Sequence, residues 1–434
     1  MWNYDGDWIE RKVMGKAKHS AEQRYICMRK RRAFKESLFY YFFRILPIRR
    51  NKIAVCAFEG KSGFCCNPRY IVEELNKRNR GYCFVWLVDD LSKQFPDYVK
   101  PVKNTLWNRA YHLSTSRVWI DNYRKPYGTK KRKGQFYLQT WHGAVGFKTI
   151  GLWRGEGFSQ IAYLVSKNDA DMTDYVICDS EWGRQVYPKG LVYDGDYLKY
   201  GSARCDILVN SRKQQYVKIR ETYHLPKDAK IVMFAPTFRE TGQKGKRGVF
   251  VGENTLDFSR MMRNLHQRFS GEWYLFLRLH PQLASQMEKY PMEGLEGRTV
   301  DVSQADDMCE VLAAVDVLIT DYSSAAMDAG FVNIPVFLYA DCIKEFTEDR
   351  GGMFWTFPEA GPGPIVSNKA ITPKVETTLP YPLSRNNEEL ERNILDFDFE
   401  KYKGAVKSFA EAIELVYDGK ASVRAADQVE RWIR

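Results

Sequence analysis

The chain has 434 residues, 44% hydrophobic and 14% aromatic, with a formal net charge of +12. Its length fits two domains of about 150–200 residues each, and its apolar content excludes a disordered chain. Residues 1–52 hold fourteen Lys or Arg and five Asp or Glu, so the remaining body is nearly neutral, which argues against nucleic acid as a partner.

Residues 1–50 form a basic, aromatic arm. Cations at 29–32 and 49–50 flank an apolar run, Leu38–Pro47, that is rich in aromatic residues. The run is far shorter than the ~20 residues of a spanning helix, and this pattern is typical of a helix lying in the lipid interface. We therefore predict an amphipathic arm that binds an anionic membrane surface. The alternative is a helix packed on the body with a solvated basic face. The acidic start of the arm does not resemble a signal peptide.

The nine cysteines show no C-x-x-C pair and no other spacing typical of metal sites. Two of them, Cys65 and Cys66, are adjacent. This usage is typical of reduced, cytosolic proteins, so we predict no structural disulfide and no zinc site.

From Lys52 onward, short apolar runs alternate with helical patterns such as Pro68–Arg78. The alternation predicts a parallel sheet with helices on both faces. Its predicted strands are Lys52–Phe58, Tyr82–Val88, Arg117–Ile120, Phe136–Thr140 and Tyr175–Cys178. A basic loop, Tyr123–Lys133, interrupts the pattern. It is expected to be a solvated turn, although its charge also suits anionic headgroups.

After a break at residues 224–228, the alternation restarts and predicts a second doubly wound unit. Its predicted strands are Ile231–Ala235, Trp273–Leu279, Val315–Thr320 and Val336–Tyr339, and its predicted helices include Phe258–Phe269 and Met308–Ala314. We predict an α/β protein with an arm at 1–50, units at 51–224 and 225–385, and a C-terminal helical segment at 386–434. Two facing units of this kind form a cleft at the carboxyl ends of their strands.

The segment Val315–Asp328 reads as a buried strand, a tight loop and the start of a helix. Ser323 or Ser324 is a natural N-cap. The start of a helix offers unpaired N–H groups and a positive partial charge, so this loop can hold a phosphate. The alternative is a capped helix without a ligand.

Two of the six histidines, His142 and His280, lie where a predicted strand passes into a loop. A histidine accepts protons near neutral pH, and an imidazolium neutralises phosphate charge. The alternative for each is a structural histidine bonded to a carbonyl group. The segment Gly60–Gly63 lacks the spacing of a Walker or dinucleotide-binding loop, and there is no G-x-S-x-G elbow, so kinase, dehydrogenase and serine-hydrolase functions are disfavoured.

Six ordered motifs carry a resemblance to a known family: QTWHG at 139–143, FAPTFRE at 234–240, LRLHP at 277–281, LITDYSSAAMD at 318–328, Arg350-Gly351 and Pro362–Pro364. Together they are similar to the CDP-glycerol glycerophosphotransferase family, which makes wall teichoic acids and includes relatives that transfer ribitol phosphate or build capsules. The resemblance implies a transferase with a GT-B fold, in which two Rossmann-like domains face each other and the second mainly holds the nucleotide. It also implies peripheral attachment to the cytoplasmic face of the membrane.

The same resemblance implies the residues of the site. His142 matches the histidine of the family's W-H-G motif, a candidate general base on the acceptor hydroxyl, and Gly143 follows it. His280 matches an R-x-H-P motif that lies against the donor's phosphates. The other residues implied at the donor site are Arg204, Pro236, Thr237, Arg278, Ser323, Ser324 and Asp328.

The implied reaction is phosphoryl transfer, in which a hydroxyl of a lipid-linked saccharide attacks the β-phosphorus of CDP-glycerol or CDP-ribitol and CMP leaves. No metal is expected. The chain reads Ala144–Lys148 (AVGFK) where the family usually has Thr-Pro-Leu-Lys-Lys, and Cys205 replaces a polar residue, so the alditol and the acceptor stay open. The alternatives are a GT-B glycosyltransferase that uses a nucleotide sugar and a non-enzymatic basic binding protein.

Overall fold

The computed structural model describes residues 16–143, 145–237, 240–241, 248–249, 255–279, 294–343, 352–359 and 363–434. Two parallel sheets, each flanked by helices, account for most of these residues, which confirms the predicted α/β architecture. The described chain begins with a long helix, α1 (Lys16–Phe42), that precedes the first sheet.

The first unit is a seven-stranded parallel sheet in the order β3-β2-β1-β4-β5-β6-β7. Its strands are β1 (Arg49–Cys56), β2 (Cys83–Val88), β3 (Val99–Lys103), β4 (Ser116–Asp121), β5 (Phe136–Gln139), β6 (Tyr175–Cys178) and β7 (Asp196–Lys199). Its helices are α2 (Cys66–Lys77), α3 (Leu106–Thr115), α4 (Gln160–Ala170), α5 (Glu181–Leu191), α6 (Asp206–Asn210) and α7 (Arg212–Thr222).

The second unit is a six-stranded parallel sheet in the order β12-β11-β8-β13-β14-β17. Its strands are β8 (Lys230–Ala235), β11 (Trp273–Leu277), β12 (Thr299–Asp301), β13 (Val317–Thr320), β14 (Val336–Tyr339) and β17 (Leu383–Ser384). Two short antiparallel pairs accompany it, β9 (Glu240–Thr241) with β10 (Gly248–Val249) and β15 (Trp355–Thr356) with β16 (Val366–Ser367). Its helices are α8 (Phe258–Phe269), α9 (Met308–Leu312), α10 (Ala325–Phe331), α11 (Asn387–Leu395) and α12 (Phe399–Ala412).

The last helix, α13 (Ala421–Ile433), crosses back to the first unit. It packs on α2 and β4, and its Trp432 stacks on Phe136 and Tyr175 with ring centroids 5.1 and 5.5 Å apart. By contrast, α11 packs on α8 and α12 packs on α10. The predicted helical segment 386–434 is therefore divided between the two units and ties them together.

Helix α1 lies against the first unit. Ile26, Ala33, Tyr40 and Phe43 are buried on one side of it and of the turn that follows. The hydroxyl of Tyr40 lies 3.2 Å from Thr129 Oγ1 and accepts a hydrogen bond from Arg109. Large apolar side chains on another side of the arm remain exposed, so docking of the helix leaves the predicted membrane contact untested. No helix in the described part of the chain is long and apolar enough to cross a membrane.

The basic loop Tyr123–Lys133 is not the solvated turn that was expected. Lys125 and Thr129 are buried, at 2% and 1% exposure. Lys125 Nζ donates to Asp121 Oδ2 at 2.5 Å, and the backbone N–H of Lys125 donates to Asp169. The expectation was wrong because it took the positive charge of the loop as a sign that the loop is exposed to solvent. A charged side chain can be buried when it is paired with an opposite charge.

Candidate active site

The carboxyl ends of the two sheets face each other. Strand β5 leads into His142 and Gly143, and β13 leads into Ser323 and Ser324. A Cβ atom built on Gly143 would lie 3.5 Å from Ser324 Oγ, so the two loops are in contact. The structure thus brings the histidine motif of the first unit to the serine loop of the second.

The imidazole of His142 is held in one orientation. Its Nδ1 lies 2.7 Å from the backbone carbonyl oxygen of Asn122. Because a carbonyl oxygen only accepts hydrogen bonds, Nδ1 carries the proton and Nε2 keeps its lone pair. Tyr123 stacks on the ring at 5.6 Å between centroids, and Trp141 and Phe58 lie at 4.2 and 5.3 Å.

Burial lowers the pKa of His142 to about 4, and the charges of Arg204 and Arg124 act in the same direction. The hydrogen bond to the Asn122 carbonyl opposes this shift and does not reverse it. At neutral pH the imidazole is therefore uncharged and able to accept a proton at Nε2.

The backbone that carries His142 is constrained. Trp141 adopts a left-handed conformation with φ of 51°, which is uncommon for a residue with a bulky side chain. Asn67 Nδ2 donates to the carbonyl oxygens of Thr140 and Trp141, and the Tyr187 hydroxyl donates to that of Gly143 at 2.7 Å. Strained backbone held by such contacts clusters at functional sites.

Two residues implied at the donor site, Arg204 and Asp328, pair with each other across the two units. Arg204 Nη2 lies 2.8 Å from Asp328 Oδ1, and Arg204 Nε lies 3.2 Å from Oδ2. Both residues are at least nine-tenths buried, and Nη1 of Arg204 is a buried donor without a hydrogen-bond partner among the described residues. That nitrogen is the part of Arg204 left for a ligand.

The serine loop differs in detail from its prediction. Ser324 stands at the N-cap position of α10, and its side chain makes no capping hydrogen bond to this part of the described chain, whereas Ser323 Oγ accepts from the Ala325 N–H at 3.3 Å. Helix α10 has only 7 residues, so its dipole contributes less than that of a long helix. The serine hydroxyls are therefore the more direct groups for a phosphate.

Thr237, after Pro236 at the end of β8, is held by Asp321. Its N–H and hydroxyl donate to the two carboxylate oxygens of Asp321 at 2.8 and 3.0 Å. Arg278 donates to the Val302 carbonyl, and burial lowers its pKa. His280 lies outside the described residues, as do the side chains of residues 238–240, 281, 350–351 and 362 in the family motifs.

Polar contacts join the two units beside the cleft. Asp307 accepts from the Cys66 N–H at 2.9 Å and from the Tyr70 hydroxyl at 3.1 Å. Arg69 and Glu310 pair at 2.9 Å. The segment after Gly143 is also attached to the second unit, since Lys148 bridges Met353 in an antiparallel β-bridge.

Sequence reasoning missed Asn67, Asn122 and Asp321, which orient the backbone and ring of the site. Asn122 directly follows β4, and Asp321 directly follows β13. Polar residues at the ends of parallel strands are the available signal for both. Asn67 lies within α2 and gives no comparable signal.

A model of the family described as CDP-Glycerol:Poly(glycerophosphate) glycerophosphotransferase matches residues 38–431. The chain is 28% identical over 389 residues to a teichoic acid poly(glycerol phosphate) polymerase of Staphylococcus epidermidis, and the match covers 87% of this chain and 50% of that polymerase. It is 30% identical over 407 residues to a teichoic acid poly(ribitol-phosphate) polymerase of Bacillus spizizenii, covering 92% of this chain and 60% of the relative. The chain thus spans about half the length of two of the teichoic acid poly(glycerol phosphate) polymerases that it matches.

The solved structure of the wall teichoic acid polymerase TagF has the same fold, with a TM-score of 0.74 and 25% identity over 96% of this chain and 97% of that one. Another TagF structure, soaked with CDPG, superposes equally well at 24% identity. This likeness confirms a GT-B fold for the present chain.

Proposed function

The chain belongs to the CDP-glycerol:poly(glycerophosphate) glycerophosphotransferase family, and from this premise we propose that it transfers an alditol phosphate from a CDP-alditol to a hydroxyl of a membrane-linked acceptor. CDP-glycerol is the first candidate for the donor, and CDP-ribitol is the second. The product belongs to the teichoic acid or capsule class of polymers.

The geometry of His142 carries this proposal. Its Nδ1 is engaged by the Asn122 carbonyl, so Nε2 is the proton-accepting atom. Burial lowers its pKa to about 4, which keeps the base uncharged at neutral pH. His142 also lies beside the contact between Gly143 and Ser324, where an acceptor and a donor would meet.

In the proposed step, an acceptor oxygen forms a bond to the β-phosphorus of the donor. The bond between that phosphorus and the oxygen bridging to the α-phosphorus breaks, and CMP leaves with the bonding pair. The hydroxyl proton passes to Nε2 of His142. Positioning and charge stabilisation supply most of the rate enhancement in such transfers.

We assign the donor's phosphates to Ser323, Ser324, Arg278, Nη1 of Arg204 and, by the family motif, His280. Asp328 acts through Arg204, since it binds that guanidinium at 2.8 Å. Thr237 is a positioning residue in this proposal, because its hydrogen bond to Asp321 holds the loop that follows β8. No metal takes part in the proposed step.

Ribitol phosphate is the second candidate for the transferred group, because the poly(ribitol-phosphate) polymerase of Bacillus spizizenii is 30% identical over 92% of this chain. A glycosyltransferase would release a nucleoside diphosphate and form a glycosidic bond. Product analysis distinguishes that outcome from CMP and a phosphodiester.

We also propose attachment to the cytoplasmic face of the membrane through the arm. An apolar patch, which we call the arm patch, is exposed there; it consists of Phe34, Leu38, Tyr41, Phe42, Ile45 and Trp107. Its five arm residues recur at a spacing of three or four along the sequence, as expected for one face of a helix. Arg49 and Arg50 follow the patch and are exposed, which suits an anionic surface.

The deciding measurement is CMP release by the purified chain offered CDP-glycerol or CDP-ribitol together with a lipid-linked disaccharide. Release with one donor supports the proposal and identifies the alditol. A nucleoside diphosphate released from a nucleotide sugar, with neither CDP-alditol used, would contradict it.

A further inference from the structure

A group of metal-ligating side chains lies between the two units, and one of its members, Asp328, also holds Arg204 of the proposed donor site. Cys205, Cys309 and Asp328 each offer one ligand atom, and these atoms all lie within 4.8 Å of one another. The three residues are buried, at 2%, 1% and 4% exposure. Cys205 belongs to the first unit, and the other two belong to the second. Motifs based on ligands that are close together in sequence therefore do not detect this group.

The chemistry of the group matches one class of ion. Two thiolates and a carboxylate are ligands of zinc and of similar thiophilic divalent cations. Cys205 Sγ lies 3.3 Å from Asp328 Oδ1, close to the ~3.5 Å expected between sulfur and oxygen ligands of one tetrahedral zinc ion. The other two separations are no longer than 4.8 Å, so binding would draw the ligand atoms closer together.

The charges around the group also balance. A divalent cation with two thiolates and one carboxylate carries a net charge of −1, and the guanidinium of Arg204 supplies +1. Arg204 contacts Asp328 Oδ2 through Nε at 3.2 Å and Nη2 at 3.0 Å. Its Nη2 also lies 2.8 Å from Oδ1, so an ion bound at Oδ1 would displace that contact while Oδ2 stays paired. Such hydrogen bonding to a ligating carboxylate is usual in metal sites.

A narrow crevice reaches the group from the side of the chain that links α12 to α13. Its lining includes Ser202, Cys205, Asp206, Tyr417 and Asp418. Tyr417 donates a hydrogen bond from its hydroxyl to the backbone carbonyl of Asp328 at 3.2 Å. Of the three proposed ligand residues only Cys205 lines this crevice, which is too narrow to admit a water molecule.

We propose that Cys205, Cys309 and Asp328 bind one thiophilic divalent cation, of the zinc class, that joins the two units. Binding replaces the protons of the two thiols, which are released to solvent, and involves no change in oxidation state. The ion takes no chemical part in the proposed transfer step. It fixes how the two units meet and, through Asp328, the position of Arg204. The proposal stands independently of which alditol, if any, the chain transfers.

The test is titration of the reduced, metal-free full chain with Co²⁺, which reports thiolate ligation through charge-transfer absorption in the near ultraviolet. We expect one equivalent of Co²⁺ per chain, displacement by Zn²⁺, and a higher thermal midpoint with Zn²⁺ present. Cys309→Ala and Cys205→Asn should each lose the absorption and the thermal shift. Cys56→Ala removes a buried thiol from another part of the first unit and should retain both.

Two results would overturn the site. One is a folded wild-type chain, judged by circular dichroism, that shows no charge-transfer band at saturating Co²⁺. The other is a band of equal strength in wild-type, Cys309→Ala and Cys205→Asn proteins, which would assign the ion to other cysteines. If one variant fails to fold, the other still decides the matter, since each removes one thiolate.

Discussion

At the scale of single residues, one hydrogen bond sets the tautomer of His142. The Asn122 carbonyl fixes the protonated nitrogen as Nδ1, and stacking on Tyr123 fixes the plane of the ring. A structural histidine would form the same bond to a carbonyl group. The bond leaves Nε2 available as a base, and the proposed role of general base is decided by substitution of the residue.

Replacement of His142 tests this role directly. His142→Ala should lower the rate of CMP release by about 10²–10⁴-fold, because a positioned general base contributes about that much. Affinity for CDP-glycerol, measured by calorimetry, should change little, since the ring lies on the acceptor side. Unchanged turnover in this variant would remove His142 from the mechanism.

The pH dependence of the wild-type enzyme gives a second, independent test. Because burial lowers the pKa of His142 from its usual 6.5 to about 4, the base form persists well below neutrality. We expect kcat/KM for the acceptor to stay level between pH 8 and about 5 and to fall only at more acidic pH. A decline with a midpoint near 6.5 would contradict this expectation, because it would mean that burial does not lower the pKa of this half-buried ring.

The buried pair of Lys125 and Asp121 supports the loop that presents Asn122. Lys125→Met should destabilise the first unit by about 3–5 kcal/mol, because it leaves the Asp121 carboxylate buried without a partner. Chemical denaturation measures the loss. Asp121→Asn combined with Lys125→Met should recover part of it, because the stranded charge is then gone.

An exposed pair of the same spacing provides the control for Lys125. Lys167 and Asp171 pair at 2.9 Å with side chains 44% and 59% exposed. Lys167→Met should cost less than about 1 kcal/mol. If Lys125→Met and Lys167→Met lower the free energy of unfolding equally, burial of the Lys125 pair does not add to its contribution to stability.

At the scale of elements, the docking of α1 depends on the close approach of its backbone to the basic loop. Gly128 has φ of 102°, and a Cβ atom built there would lie 2.5 Å from the Ala33 carbonyl oxygen. Both features require glycine, because a side chain would be strained and would also collide with α1. The basic loop and the arm are therefore fitted to each other.

Gly128→Ala should detach α1 from the loop. We expect faster proteolytic cleavage within Lys16–Phe42 and a lower thermal midpoint. Gly81→Ala is the matched control, since Gly81 also has a positive φ, 68°, and a Cβ atom built there would meet no atom of the described chain within 4 Å. Similar cleavage rates in both variants would mean that backbone strain alone, and not a collision with α1, causes the faster cleavage.

Strands were predictable from the sequence where they are buried on both faces. β1 shows five consecutive buried residues at its end, and β2 shows five; both were found as apolar runs. The missed strands β3, β7, β12 and β17 lie at the edges of the two sheets. β3, with the sequence VKPVK, is largely accessible, so its pattern does not differ from that of a loop.

At the scale of the whole molecule, the alternation of strands and helices and the order of the motifs were enough to predict the α/β fold of two sheets. The sequence could not show which polar residues form hydrogen bonds or ion pairs with one another. Arg204 and Asp328 were both expected to contact the donor, yet they pair with each other across the units. The return of α13 to the first unit is equally non-local, because it depends on Trp432 stacking on Phe136.

The docked arm determines how membrane attachment should be tested. Deletion of residues 1–50 would remove Tyr40 and Phe43 from a buried cluster, so loss of binding could then reflect unfolding. Substitutions in the arm patch avoid this difficulty. Phe34, Phe42 and Ile45 are 67%, 55% and 77% exposed, and their replacement by serine leaves the buried side of α1 intact.

We expect wild-type protein to float with phosphatidylglycerol vesicles and not with phosphatidylcholine vesicles, because the arm is cationic as well as aromatic. The triple variant Phe34→Ser, Phe42→Ser, Ile45→Ser should partition at least tenfold less, since each inserted side chain contributes about 1.5–3 kcal/mol. Val217→Ser with Phe399→Ser changes apolar residues that are 54% and 41% exposed on other helices, and should float as wild type does. Equal flotation of all three proteins would show that the arm patch does not contact lipid, and the proposed attachment through the arm would then be wrong.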